Sequence, residues 1–237
     1  SYGVARDTMT VDYDEVLRIA KEVRPKLIVC GGSAYPRTVE ADKFRAIADE
    51  VDALLMCDMA HFAGLVAAGL HPNPVPHCDF VTSTTHKTLA GPRAGFVLCK
   101  AEHASALDRA VFPGEQGGPH VNVFAALSVA FKLAATPQFK ALQAQTVKNA
   151  VRFAEQFSAH GFTIPFGGTE SHLFNVDCKS VIGPDGTPLM GDMAARLLDL
   201  AGVVTNRNTI PGDLSAANPS GLRLGTPAAT TRGFDEA

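Results

Sequence analysis

Thr82-Ser-Thr-Thr-His-Lys-Thr-Leu-Ala-Gly-Pro-Arg93 is the stretch that decides how this chain is read. An apolar run ends just before it at Val81, and another, Ala94-Gly-Phe-Val-Leu-Cys99, follows it. Both runs predict short buried strands, which leaves Lys87 between them in a loop of hydroxyls, glycine and proline. A lone loop lysine is ordinarily a solvated one. Its neighbours here favour chemistry, because a lysine held in a pocket can have its amine pKa lowered and attack a carbonyl. Twenty-nine residues before Lys87, the run Ala53-Leu-Leu-Met-Cys-Asp58 ends in a carboxylate. Parallel sheets place their chemistry at the carboxyl ends of their strands. A lysine and an aspartate at such ends form the pair that holds pyridoxal phosphate, as a Schiff base and as a partner for the pyridinium nitrogen.

The stretches around this pair predict parallel βα units. Val16, Leu17, Ile19, Ala20 and Val23 recur at helical spacing from Asp12 until Pro25 stops the run. Lys26-Leu-Ile-Val-Cys30 reads as a buried strand, and Gly31-Gly-Ser-Ala-Tyr35 as a loop at its end. A second helix spans Val39 to Val51, before the strand that ends at Asp58. Gly64 to Gly69 is a small-residue segment, and the prolines of His71-Pro-Asn-Pro-Val-Pro76 impose an extended loop. Further on, the pattern predicts a short helix over Ala101–Ala110 and a glycine-rich loop, Val111–Pro119. A helix from about Val121 to Ala135 and one long helix from Pro137 to His160 follow. Phe162–Phe166, His172–Asp177, Val203–Ile210 and Leu222-Arg-Leu224 read as strands, with a helix over Asp192–Leu200. The end, Arg232–Ala237, reads as the first turn of another helix.

Composition narrows the function classes. The 237 residues are 46% hydrophobic and 19% charged, enough apolar material for a real core. A net charge of -3 gives no reason to expect a nucleic-acid surface, and no apolar run is long enough to cross a membrane. The five cysteines are scattered and mostly lie in apolar runs, as reduced core thiols do. Asp58, His61 and His86 lack a fourth partner and the spacing of a zinc site.

Asp58-Met-Ala-His-Phe-Ala-Gly-Leu65, Val75-Pro-His77, Thr84-Thr-His-Lys-Thr-Leu-Ala-Gly-Pro-Arg93 and Phe112-Pro-Gly-Glu-Gln-Gly-Gly-Pro119 follow one another in this order. Together they closely resemble the serine hydroxymethyltransferase family, and Ser220-Gly-Leu-Arg-Leu-Gly-Thr-Pro227 resembles its later substrate-binding segment. The resemblance runs through nearly the whole chain. It implies an α/β architecture, a three-layer fold type I large domain followed by part of an α+β small domain. The expected division is 1–136 for the later part of the large domain, 137–160 for a connecting helix and 161–237 for the first part of the small domain. The resemblance also implies a fragment that lacks elements before Ser1 and after Ala237, and that is inactive by itself.

The activity implied is reversible conversion of serine and tetrahydrofolate to glycine and methylenetetrahydrofolate, with pyridoxal 5'-phosphate carried as an imine on Lys87. By the same resemblance Asp58 partners the ring nitrogen and Thr84 lies near the reacting amino group. Ser33, His61 and His86 contact the cofactor, His61 at its phenolic oxygen and His86 at its phosphate. Gly117 and Gly118 reach the phosphate of a neighbouring subunit's cofactor, so the family's homo-oligomers share their active sites. Arg223 grips the substrate carboxylate and Asn208 is a folate contact; Arg93, from its place close to Lys87 in the sequence, reads as an active-site structural partner on the substrate side. Glu115 stands where many members have glycine, and Ser215-Ala-Ala-Asn-Pro219 departs from the family's usual run. A cytoplasmic location is expected, with mitochondrion or plastid open because the start of the family's sequence is absent. Two other readings stay open to the sequence. One is another fold type I enzyme, a threonine aldolase or a glycine acyltransferase. The other is a structural fragment without catalysis.

Overall fold

The computed structural model describes residues 1–236. Helix α1 (Tyr13–Val23) starts at Asp12, whose carboxylate accepts from the Glu15 N–H, and ends at Arg24 in a left-handed conformation. Strand β1 (Leu27–Gly31), α2 (Ala41–Glu50) and β2 (Leu54–Asp58) follow in the expected order. The small-residue segment after Asp58 forms a helix, α3 (Ala63–Ala68), closed by Gly69 at φ 76°. Its glycine has a steric reason: a Cβ on Gly64 would overlap the backbone of Thr88. The Gly64 N–H donates to Thr88 Oγ1 at 2.9 Å, and that hydroxyl donates to His61 O at 2.9 Å. The Lys87 loop is thus docked against α3.

Strands β3 (Phe80–Thr84) and β4 (Gly95–Cys99) enclose that loop, and the four strands form one sheet in the order β1-β2-β3-β4. The first three are parallel and β4 is antiparallel. Alternation sends Ile28, Cys30, Leu55, Cys57 and Val81 to one face, where they join Phe44, Ile47 and Leu65 in the main core. The opposite face carries Leu27, Val29, Leu54 and Val97, all substantially exposed. Helices thus cover one side of this sheet, whereas parallel sheets are ordinarily covered on both.

Next come α4 (Ala101–Arg109), a kinked turn over Ala110–Glu115, α5 (Val121–Ala134) and the long α6 (Pro137–Ala159). Thr136 caps α6 by accepting from the Phe139 N–H, with Pro137 in the first turn. A second, antiparallel sheet has the order β5-β7-β6, built from β5 (Leu173–Asp177), β6 (Asn206–Asn208) and β7 (Gly221–Gly225). Helix α7 (Gly191–Leu200) lies between β5 and β6 in sequence, and α8 (Pro227–Thr231) follows β7. Phe174, Val176, Leu222 and Leu224 form a second core with Ala154 of α6 and Ala194 of α7.

Three expected elements differ. Phe162–Phe166 contributes one bridge, Thr163 to Asp177, and then a 3-10 turn over Pro165–Gly167. Pro165 has no N–H for a ladder, and Phe166 sits at φ 64°, so no strand can continue. Val203–Ile210 is a strand only over Asn206–Asn208, because Val203 and Val204 stand out from the sheet and are exposed. The helical turn expected at Arg232–Ala237 lies upstream as α8, and Gly233 at φ 94° ends it; Ala237 lies outside the described residues.

The two sheets are joined by the loop after β1. Arg37 donates to Glu170 Oε1 at 3.1 Å and to Phe166 O at 2.8 Å, and Thr38 donates twice to Glu170 Oε2. Asn175 of β5, fully buried, donates to Ala34 O at 2.8 Å.

Candidate active site

A cavity of about 750 Å³ opens where the Lys87 loop faces the second sheet. Lys87, His61 and His86 line it from the first sheet, and His172, Asn206 and Arg223 from the second. Its volume falls in the range of small-molecule sites, roughly 300–1,000 Å³. Lys87 Nζ donates to Thr84 Oγ1 at 3.0 Å. Register places Asp58 beside Thr82. Two-residue alternation then puts Asp58, Thr82 and Thr84 on one face of the sheet. By its contact with Thr84 the Lys87 amine reaches the face that carries Asp58. The Asp58 carboxylate stands exposed at the end of β2 and accepts from the Ala60 N–H at 2.9 Å.

Arg223 occupies the centre of β7, partly buried. One terminal nitrogen donates to Ser33 O at 2.7 Å, and the other to Asn206 Oδ1 at 3.2 Å. Both acceptors are neutral. Burial lowers the guanidinium pKa, and no carboxylate among the described residues pairs with it. An incompletely compensated cation on a cavity wall is a ready anchor for a carboxylate.

The histidines are held neutral. Burial, then the charges of Arg223 and Lys87, push His61 down to about 4 against the opposing pull of Asp58. His172 stacks on His61 with ring centroids 5.8 Å apart, and burial followed by His61, Arg223 and His71 pushes it down to about 3. Burial, then Arg93 and Lys87, lowers His86 as well. The Nδ1 atoms of His86 and His172 are buried without a hydrogen-bond partner. Both residues line the cavity, with these two atoms turned away from its open space.

Not every expected residue meets here. Ser33 contributes its carbonyl to Arg223 and does not line the cavity. Asn208 donates to Thr209 O at 2.6 Å and lies outside the lining. Arg93 is exposed, and its effect on the site is its charge beside His86. Gly117 and Gly118 lie in an exposed loop with open space around them, away from the cavity of their own chain. Conversely, Asn206, His172 and Gln143 line the cavity without having been expected there. Gln143 donates to Thr88 O at 2.9 Å and so braces the Lys87 loop from α6. Among the described residues no group of three His, Cys, Asp or Glu is placed to hold a metal ion.

The model of the serine hydroxymethyltransferase family matches residues 1–237. The chain belongs to the serine hydroxymethyltransferase family. Its fold is therefore that of the fold type I pyridoxal phosphate-dependent transferases, and its place is in one-carbon metabolism. The cavity suits that cofactor in part: it holds the Lys87 amine, the imidazoles of His61, His86 and His172 and the Arg223 guanidinium, whereas Asp58 and Thr84 lie outside its lining, with Asp58 exposed at the neighbouring strand end. No helix of the described residues is long and apolar enough to cross a membrane.

Proposed function

We propose that the protein interconverts serine and glycine, passing the one-carbon unit to and from tetrahydrofolate, with pyridoxal phosphate bound covalently to Lys87. The observation that carries this reading is the pairing in one cavity of the Lys87 amine with Arg223, a cation without a carboxylate partner. Pyridoxal phosphate, when bound, supplies an electron sink for the pair released as the serine side-chain bond breaks. The chain's own residues supply the rest. Thr84 Oγ1 holds the Lys87 amine in place. Asp58 keeps a proton on the ring nitrogen, since an ionised carboxylate favours the charged ring. Arg223 orients the substrate carboxylate by its two-pronged donors.

His61, His86 and Ser33 serve the cofactor, and Asn208 the substrates, by resemblance; Arg93 is placed on the substrate side by its closeness to Lys87 in the sequence. Gly117 and Gly118 serve a neighbouring subunit's cofactor, and their open surroundings support that reading. The division at 136/137 and 160/161, with α6 as the connector, belongs to the same proposal. So does a cytoplasmic location, for which the five free cysteines speak.

The test is glycine formation from serine by the intact protein loaded with pyridoxal phosphate, with and without tetrahydrofolate. Turnover that depends on tetrahydrofolate is expected. Threonine cleavage at an equal rate without any folate dependence would favour an aldolase instead. Asp58→Asn is predicted to keep the fold and slow turnover by roughly a hundredfold or more, as loss of a tuned charge partner does. Unchanged turnover would reduce Asp58 to a strand-end cap.

A further inference from the structure

Arg223 has an asparagine opposite it on each side. Register pairs it with Asn175 of β5 and with Asn206 of β6. The intervening alternate positions, Phe174, Leu222 and Leu224, face the second core. The sheet therefore presents one polar row, Asn175–Arg223–Asn206, to the loop after β1. Within this row the two asparagines do different work. Asn175 grips Ala34 O and so pins the loop whose Ser33 carbonyl accepts from Arg223. Asn206 accepts directly from the other terminal nitrogen of the guanidinium, and it lines the cavity.

A guanidinium has five N–H donors in one plane. Two acceptors, one on each terminal nitrogen, fix the rotation of that plane and leave further donors on both nitrogens for a carboxylate. An arginine on a long stem otherwise loses rotamer freedom when its ligand arrives, and prior fixing removes that cost. The acceptor must also be neutral. An aspartate at this position would pair with the guanidinium and compete with the incoming carboxylate; an amide oxygen orients without competing.

We propose that Asn206 is a positioning residue that sets the plane of the Arg223 guanidinium and thereby selects substrates with a free α-carboxylate. The proposal rests on the reading of Arg223 as the carboxylate anchor.

The test uses the intact, pyridoxal phosphate-loaded protein and follows the cofactor absorbance as glycine or glycinamide is added. Glycinamide keeps the amine and lacks the carboxylate. Asn206→Ala is expected to weaken glycine about tenfold, the scale of a hydrogen bond to a charged group. It should leave glycinamide binding and cofactor retention unchanged. Asn206→Asp should weaken glycine further than Asn206→Ala. Equal losses for glycine and glycinamide, or no loss for either, would overturn the proposal. Arg223→Lys separates the two levels. If it keeps the preference for glycine over glycinamide, the anchor reading fails and the proposal falls with it. If it abolishes the preference while Asn206→Ala preserves it, only the role of Asn206 is overturned.

Discussion

His172 has its proton affinity set by where it sits: stacked on His61, near Arg223 and His71, and almost wholly buried. Its folded pKa of about 3 lies far below the ordinary 6.5, so the folded state refuses a proton that the unfolded chain accepts. The contribution to stability is therefore fully present above pH 6.5 and is lost as pH falls through 6.5 towards 3. A group of this kind adds a slope of up to about 1.4 kcal/mol per pH unit. His172→Gln is predicted to flatten the fall in urea midpoint between pH 7 and pH 5. The same fall in variant and parent would show that His172 takes a proton freely when folded. The residues that carry chemistry differ in how visible they are in sequence. Lys87 and Asp58 stand out because each ends or follows a strand with its own apolar run. Arg223 stands out as a charge in an apolar strand. Asn206 and His172 do not, because their position depends on which distant strands come to lie together. That pairing joins β5, β6 and β7 across a long separation in sequence.

At the scale of elements, one carboxylate holds the first sheet together. Asp79, just before β3, accepts from Arg45 of α2 at 2.9 Å, from the Leu55 N–H of β2 at 2.7 Å and from Lys100 after β4 at 2.6 Å. Burial alone would raise its pKa; the bonds from Lys100, Leu55 and Arg45 outweigh that and hold it down at about 2. Asp79→Ala would leave Arg45 its pair with Asp49 at 2.8 Å but strip the buried Leu55 N–H of its acceptor, and a buried group left unsatisfied costs roughly 1–3 kcal/mol. Chemical denaturation of the variant should show a loss of that order. A loss below about 1 kcal/mol, the scale of an exposed pair, would mean that Asp79 is effectively solvated. Helices were legible from periodicity, as α1, α2 and α6 show. The stretch 162–166 was not, because its apolar residues resemble a strand while Pro165 and the backbone of Phe166 turn it away. The α3 segment was also missed, since its small residues signal no period and its helix depends on close approach to Thr88.

At the scale of the whole molecule, apolar surface is left uncovered in particular places. Helix α5 is apolar on nearly every side, yet Val121 is 71% exposed, Phe124 50%, Val129 59% and Leu133 56%. A helix apolar all round is ordinarily buried. Its N-terminal end follows the Gly117–Gly118 loop that the proposed function assigns to a neighbouring subunit. A second copy covering α5 would therefore bring that loop to the other copy's cofactor. Phe124→Glu is predicted to shift sedimentation towards monomer and to weaken cofactor retention, with helical content unchanged. A variant that stays associated and keeps its cofactor would separate α5 from assembly.

The proposed function depends on Lys87 being the amine that takes pyridoxal phosphate. Borohydride reduction of the intact protein with pyridoxal phosphate, followed by peptide mapping, measures that directly. The account predicts one modified peptide, labelled at Lys87, and no stable label in Lys87→Ala. Label on Lys26 or Lys100 instead, with Lys87 unmodified, would contradict it.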